Sequence, residues 1–319
     1  MTGKPYIIAL EEHYADPEVA ETFRGADATK APAIRQRLED LVGLRIREMD
    51  AAGIDMQVLS HTAPSVQKLD PETAARLAQR ANDRLNETVR AHPTRFAAFA
   101  ALPTPDPKAA ADELERTVTQ FGFKGGMVHG LTNGVFFDDK RFWPVFERAQ
   151  ALDVPLYLHP AMPHPAVVEA YYKDYAEAWP VLLRSAWGFT VETATQAIRL
   201  VLSGVFDEFP RTKIILGHLG EGLPFYLWRI THSLSREGKA GKTFRDYFCE
   251  HFYITTSGFF STPALLCCLM EMGIDRILFS VDYPFVDNQL GTRWLEQVPL
   301  CPEDKEKLMN GNVRRLLRM

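Results

Sequence analysis

The stretch AAGIDMQVLS, residues 51–60, ends one amphipathic segment and begins the next element within a few residues. Apolar residues three or four positions apart precede Gly53, and a glycine just past a helix supplies the left-handed residue that ends it. The apolar run after Asp55 predicts a buried strand. A similar stretch, EMGIDRILFS, lies at residues 271–280, near the other end of the chain. Helices followed at once by strands predict an α/β protein.

Eight short apolar runs, most of them followed by a longer segment of helical periodicity, extend this pattern over all 319 residues. The predicted strands are 6–10, 55–60, 95–102, 125–130, 154–160, 213–218, 252–258 and 276–282. Such repeats predict a (β/α)₈ TIM barrel in a single domain, residues 1–319. A doubly wound sheet is the alternative, but it would place a glycine-rich phosphate loop after an early strand, where this chain has Glu-Glu-His.

Two local features refine the predicted barrel. Asp70 and Thr262 each precede a proline and are predicted to cap the helices that follow. The longest stretch without a predicted strand, 161–212, follows the fifth strand and begins within PAMPHPAVVEAYYKDYAEAWP, residues 160–180. Its prolines and aromatic residues predict a loop insertion that distorts the barrel and covers the substrate.

The composition argues against several classes of function. With 46% hydrophobic and 24% charged residues the chain has an ordinary globular composition, and its net charge of −5 gives no reason to expect nucleic acid or an anionic membrane as partner. No apolar run approaches the roughly 20 residues of a membrane span, and the start does not resemble a signal peptide. The four cysteines form no C-x-x-C pair. We therefore expect a soluble cytoplasmic protein.

Polar residues stand where several predicted strands end. They are Glu11 and His13 after strand one, His159 at the end of strand five, His218 at the end of strand six and Asp282 at the end of strand eight. The carboxyl ends of all barrel strands meet on one face, so these side chains are expected to converge. Because residues i and i+2 of a strand point the same way, Glu11 and His13 should share a side and Glu12 should point elsewhere. Carboxylate and imidazole ligands suit a divalent ion such as zinc or manganese.

Each of these residues also has a plainer interpretation. His159, before Pro160, could be a partly buried histidine with its own hydrogen bonds, and Asp282 could cap a turn. His218 could bond a loop backbone. Because all of them stand at strand ends that a barrel brings together, we favour the metal site as the joint explanation.

Four motifs make the chain resemble the amidohydrolase superfamily, in its aromatic-acid decarboxylase branch. They are E-x-H on strand one, LYLHP (156–160), IILGHLGEGLP (214–224) and ILFSVDYPF (277–285). The branch includes the γ-resorcylate (2,6-dihydroxybenzoate), 2,3-dihydroxybenzoate and 5-carboxyvanillate decarboxylases. Hydrolases of the superfamily begin with H-x-H and often carry a bridging lysine on strand four, whereas this chain has Glu11 and His129 at those places. The resemblance, which covers essentially the whole chain, implies a non-oxidative decarboxylase with one divalent ion, Zn²⁺ or Mn²⁺, and no organic cofactor.

The resemblance also implies roles for individual residues. The implied metal ligands are Glu11, His13, His159 and Asp282. Asp282 would in addition deliver a proton to the ring carbon that loses CO₂, and His218 with Glu221 would form a hydrogen-bonded catalytic pair beside the substrate. Arg229 would bind the substrate's anionic group, with a surface arginine as the alternative. Candidates for packing against the ring are Phe23, Trp179, Trp187 and Phe189, although aromatic residues more often fill a core.

Two departures from the branch leave the substrate's ring pattern open. The branch usually has an asparagine where His129 stands, and the following loop, LTNGVFFDDKRFW (131–143), is shorter than in γ-resorcylate decarboxylases. His129 is expected either to contact the substrate or to lie behind the site, and we favour contact.

The partners expected are a small aromatic acid with an ortho hydroxyl and further copies of this chain in a dimer or tetramer. The alternative function is a metal-dependent hydrolase of a lactone or amide, in which Asp282 would take a proton from a metal-activated water. A ligand-binding barrel without catalysis is disfavoured because the proposed ligands and His218 are all present.

Overall fold

Within the part of the chain described by the computed structural model, residues 5–27, 31–234 and 241–319, eight parallel strands form a closed barrel. The strands are β1 (Ile8–Tyr14), β2 (Met56–His61), β3 (Phe96–Ala98 and Ala100–Ala101), β4 (Gly126–His129), β5 (Leu156–His159), β6 (Ile214–Leu216), β7 (Phe252–Thr255) and β8 (Ile277–Leu278). Each strand pairs in parallel with the next one along the chain. The barrel closes where the backbone N–H of Leu10 donates to the carbonyl of Phe279. The TIM barrel is confirmed and the doubly wound alternative is wrong.

Helices surround the barrel and connect successive strands. Those of eight or more residues are α1 (Pro32–Glu39), α2 (Gly43–Ala52), α3 (Pro71–Ala91), α4 (Pro107–Arg116), α5 (Trp143–Leu152), α6 (Gly188–Ser203), α7 (Leu223–Leu234), α8 (Phe244–His251), α9 (Thr262–Met272) and α10 (Asn288–Gln297). Shorter helical segments are Pro17–Ala20, Pro165–Val167, Lys173–Ala176, Val205–Glu208, His218–Glu221, Pro302–Glu306 and Asn312–Leu317. None of the described helices combines the length and apolar character that a membrane crossing needs.

The helix boundaries follow the sequence signals with one exception. Gly53 and Gly273 end α2 and α9 with φ angles of 77° and 81°, as their positions predict. Asp70 caps α3 by accepting a hydrogen bond from the backbone N–H of Thr73. The predicted cap at Thr262 is wrong, because α9 begins at that residue and its hydroxyl accepts a hydrogen bond from the Trp294 indole instead.

An apolar plug fills the barrel below its carboxyl ends. One buried cluster combines inward-facing strand residues with three residues of the C-terminal helix Asn312–Leu317: Ile8, Leu10, Val58, Ala97, Phe99, Met127, Tyr157, Ile215, Leu278, Val313, Leu316 and Leu317. Most other strand residues point outward and pack against the helices. Because the interior is packed with side chains, polar groups inside the barrel are confined to the carboxyl ends of the strands.

The predicted insertion lies between β5 and β6, where the described residues contain no strand. Short helical turns precede the long helix α6, and several aromatic side chains there face outward. The exposed fractions are 70% for Tyr171, 59% for Tyr175 and 65% for Trp179. That this segment covers a substrate stays a prediction.

Candidate metal centre and active site

A bulge in β1 sets the direction of its three polar side chains. The register of β1 against β2 shifts between Leu10 and Glu12, which leaves Glu11 as an extra residue with a φ of 67°. Bulges of this kind redirect side chains and are frequent beside active sites. Here the carboxylate of Glu11 and the imidazole of His13 both reach the interior at the carboxyl end of the barrel, whereas Glu12 points away from it.

Four of the predicted residues converge at this point. One ligand atom from each of Glu11, His13, His159 and Asp282 lies within 4.8 Å of the others. His13 Nε2 is 3.3 Å from Asp282 Oδ1, and His159 Nε2 is 3.3 Å from Glu11 Oε1. Glu11 and His13 are fully buried, while 15% of the Asp282 side chain is exposed. The cluster is therefore closed on the barrel side and accessible from the side of Asp282.

The residues present fit a divalent cation. Among the described residues, Glu11 Oε1 and His13 Nε2 are buried without a hydrogen-bond partner, and leaving such a group unpaired costs about 1–3 kcal/mol. His159 Nδ1 donates to the carbonyl of Pro160 at 2.6 Å, which leaves the lone pair of Nε2 facing the cluster. Two carboxylates and two imidazoles form a donor set suited to Mn²⁺ or Zn²⁺.

Three hydroxyl groups hold the second oxygen of Glu11. The side chains of Tyr157, Thr255 and Ser257 all donate to Oε2, Thr255 at 3.2 Å. Gly217 lies against the same carboxylate, where a Cβ atom would come within 2.9 Å of Oε2. These contacts fix the carboxylate so that Oε1 turns toward the cluster. Sequence reasoning missed all three hydroxyls, although Thr255 and Ser257, two positions apart in FYITTSG, were a usable signal for two of them.

A left-handed turn places the predicted catalytic pair. Every residue from His218 to Gly222 has a positive φ, between 50° and 76°. This conformation costs roughly 1–2 kcal/mol per non-glycine residue, so the surrounding structure must enforce it. Gly220 is also required for space, because a Cβ there would lie 2.9 Å from Ile254 Cγ2. The turn brings His218 Nδ1 to 2.7 Å from Glu221 Oε1, to which it donates.

The other nitrogen of His218 faces the cluster. Nε2 lies 3.8 Å from Glu11 Oε1 and 3.9 Å from Asp282 Oδ2. Burial lowers the pKa of His218, but the carboxylates of Glu221 and Glu11 outweigh burial and hold the pKa well above its ordinary value. Burial and the neighbouring imidazoles hold the pKa of His159 well below its ordinary value. His218 is therefore suited to donate a proton or a hydrogen bond, whereas the environment of His159 favours the neutral imidazole that metal binding requires.

His129 lies behind His159, with their ring centroids 5.2 Å apart. Its Nε2 donates to the carbonyl of His61 at 2.8 Å, and its Nδ1 is 3.2 Å from Gln67 Oε1. Both ring nitrogens thus have neighbours within the protein. This geometry favours a supporting position over the substrate contact that we expected, and the contact itself stays a prediction.

The remaining predicted substrate contacts lie outside this cluster. Phe23 lines a cavity of about 340 Å³ that Thr62 also lines, near the carboxyl ends of β1 and β2. Arg229, on α7, and Trp187, just before α6, are exposed, and Phe189 is half-buried. Their contact with a substrate stays a prediction.

Comparison with known proteins supports the same class of enzyme as the geometry of the site. Residues 13–319 match the amidohydrolase family. The chain is 43% identical, over 332 aligned positions covering 100% of this chain and 99% of the relative, to the γ-resorcylate decarboxylase of Polaromonas sp. strain JS666. A solved dihydroxybenzoic acid decarboxylase from Polaromonas sp. JS666, with bound manganese and the inhibitor 2-nitroresorcinol, has a TM-score of 0.91 at 42% identity and covers 99% of this chain and 97% of its own. For the 5-carboxyvanillate decarboxylase of Sphingomonas paucimobilis the TM-score is 0.92 at 35% identity, with 99% and 100% covered.

A parallel eight-stranded barrel with a carboxylate–imidazole cluster at its carboxyl ends defines a metal-dependent enzyme, and the chain belongs to the amidohydrolase family. Within that family it is a carboxy-lyase of the aromatic-acid decarboxylase branch. The superfamily and the branch expected from the sequence motifs are thereby confirmed.

Proposed function

We propose that the enzyme removes CO₂, without oxidation and without an organic cofactor, from an aromatic acid that carries a hydroxyl group beside its carboxylate. Acids of the γ-resorcylate, dihydroxybenzoate or salicylate type fit this description. The observation that carries the proposal is the cluster of Glu11, His13, His159 and Asp282, which is open on one side next to the His218–Glu221 pair. The substrates named for the relatives support the same class of acid.

One Mn²⁺ or Zn²⁺ ion is proposed to bind between these four side chains. Glu11 would contribute Oε1, and His13 and His159 would contribute Nε2, the atoms that face the cluster. The manganese in the Polaromonas structure favours Mn²⁺. When bound, the ion would hold the carboxylate and ortho-hydroxyl oxygens of the substrate and stabilise their negative charge as a Lewis acid.

The chain's own residues would then move the proton. Direct loss of CO₂ would leave an unstable phenyl carbanion, so the ring carbon bearing the carboxylate must first gain a proton. Asp282, the most exposed of the four, takes up a proton as the anionic substrate binds and transfers it to that carbon. The C–C bond then breaks, its electrons restore the aromatic ring, and CO₂ leaves. His218, oriented by Glu221, hydrogen-bonds a ring hydroxyl.

An ortho hydroxyl is expected to be essential for turnover, because that oxygen completes the chelate. Salicylate, the dihydroxybenzoates and 5-carboxyvanillate should be compared with para-hydroxybenzoate by CO₂ release from the Mn²⁺-loaded enzyme. We expect turnover only with ortho-hydroxylated acids, carboxylation in reverse at high bicarbonate, and inhibition by 2-nitroresorcinol. A comparable kcat/KM for para-hydroxybenzoate would contradict the mechanism, and a ring-opened acid from a lactone would instead indicate the hydrolase.

We also propose that the enzyme is a homodimer or homotetramer. Large apolar side chains are exposed on two helices that pack together, α7 and α9: Phe225 is 75%, Trp228 69% and Met270 85% exposed. Large apolar side chains exposed on adjoining helices are a common feature of protein interfaces. Light scattering during gel filtration should give two or four times the mass of the chain. A monomer at micromolar concentration would contradict this proposal.

A further inference from the structure

The second carboxylate of the Glu-Glu-His motif, Glu12, is fully buried and has no role in the site described above. It lies at the seam where the end of β8 closes onto β1. In this seam the backbone N–H of His13 donates to the carbonyl of Tyr283 at 2.7 Å. The N–H groups of Val281 and Tyr283 donate to the Glu12 side chain, at 2.9 Å to Oε1 and 3.1 Å to Oε2. The Glu12 carboxylate thus accepts two backbone hydrogen bonds that carbonyl oxygens would accept in a regular pair of strands.

The two residues that Glu12 holds are the immediate neighbours of Asp282. Asp282 has a φ of 73°, a left-handed conformation that aspartate adopts at some energetic cost. A segment held only at one side of Asp282 could relax this angle and turn the carboxylate away from the cluster. Because Glu12 binds the backbone on both sides, the angle and the direction of the Asp282 side chain are fixed together.

A buried cation links the same carboxylate to His13. Arg45 donates from Nη1 to Gln57 Oε1 at 3.0 Å and from Nη2 to the carbonyl of His13. Gln57 Nε2 in turn lies 3.5 Å from Glu12 Oε2. Arg45 is itself fully buried, so the bonds behind the cluster form one connected network.

We propose that Glu12 is a positioning residue that holds the backbone on both sides of Asp282, so that the Asp282 carboxylate reaches the metal position. The inference rests on the proposed function in one respect, the role of Asp282 as a ligand. Glu12 itself touches neither the metal position nor the substrate. It acts through the N–H groups of Val281 and Tyr283, and Gln57 lies against its other side.

The test is Glu12→Gln, which keeps the shape of the side chain but replaces one of its two acceptor oxygens with a donor. We expect the affinity of the metal-free protein for Mn²⁺, measured from the EPR signal of free Mn²⁺, to fall about 10- to 100-fold, as for other groups that orient a metal ligand. The EPR spectrum of bound Mn²⁺ should also change. Neither readout requires a substrate or turnover.

Glu113→Gln is the matched control. Glu113 is a buried glutamate that bonds Asn82 and Arg116 on the helical side of the barrel, so this variant should lose stability in urea but keep Mn²⁺ affinity and spectrum. A double-mutant cycle with Asp282→Ala then locates the effect, because a residue acting through Asp282 should have little further effect once that ligand is removed.

The outcomes separate this inference from the proposed function. If the wild-type protein binds no divalent ion, the metal centre itself is wrong. If the wild type binds Mn²⁺ and Glu12→Gln binds it equally well, or if the two substitutions are additive in the cycle, the positioning role is wrong. Should Glu12→Gln not fold, Glu12→Asp, which keeps the carboxyl group but is too short to span both N–H groups, is measured in the same way.

Discussion

Asp282→Asn is expected to lower kcat by about 10²- to 10⁴-fold, the usual contribution of general acid catalysis. Asparagine keeps the shape and one ligating oxygen of the aspartate, but it cannot transfer a proton to the ring carbon. Because Asp282 is also placed to bind the metal, 3.3 Å from His13 Nε2, the metal content of the variant must be measured beside its rate. A fall in kcat at full metal occupancy isolates the loss of proton transfer.

The control for this variant lies five residues further along the same loop. Asp287 caps α10 by accepting a hydrogen bond from the N–H of Gln289, and it is not one of the four residues of the cluster. Asparagine is an equally good cap, so Asp287→Asn should keep the wild-type rate.

Turnover in heavy water adds a second readout. The wild type should place one deuterium at the former carboxyl carbon, but so would protonation directly from solvent. The variant distinguishes the two routes. A metal-loaded Asp282→Asn enzyme with near wild-type turnover would show that the proton comes from elsewhere, and His218, whose Nε2 lies 3.9 Å from Asp282 Oδ2, is the next candidate.

The barrel was predictable because its signals are local. Alternating apolar runs and helical segments, together with glycines such as Gly53 at helix ends, report directly on which element each segment forms. The convergence of polar residues at the strand ends then follows from the topology alone. The cap predicted at Thr262 was wrong because a proline fits either of the first two positions of a helix. Here the proline takes the second position, so Thr262 is already the first helical residue and Ser261 precedes the helix.

The details of the site depend on geometry that the sequence does not report. Strict alternation from the inward-facing Leu10 would have pointed Glu12 into the barrel, and only the bulge at Glu11 reverses this. The spacing of two residues correctly predicted that Glu11 and His13 share a side of the strand. It did not predict that a bulge turns this side toward the barrel interior. In the same way, the sequence GHLGEG does not indicate that His218 itself adopts a left-handed conformation.

Removing the metal is expected to abolish turnover and to destabilise the protein. The cluster holds two carboxylates, of Glu11 and Asp282, close together, with Glu11 Oε1 and His13 Nε2 buried and unpaired. A bound ion offsets the repulsion between the carboxylates and the cost of the unpaired atoms. Because the four ligands converge only in the folded state, the ion stabilises the fold by about 2.7 kcal/mol when the free ion is at 100 times its dissociation constant. Dialysis against a chelator should therefore lower Tm and stop CO₂ release, and Mn²⁺ should restore both.

The same experiment counts the ions. Elemental analysis of the purified protein should find about one divalent ion per chain, because the four converging ligands form one centre and strand four offers no lysine to bridge a second. His13→Ala should lose the ion and turnover together, whereas His92→Ala, at the end of α3, should keep both. Two tightly held ions per barrel would contradict a single centre. Full activity after complete chelation would contradict the chelate mechanism itself, because that mechanism needs the ion to hold the carboxylate and the ortho hydroxyl of the substrate side by side.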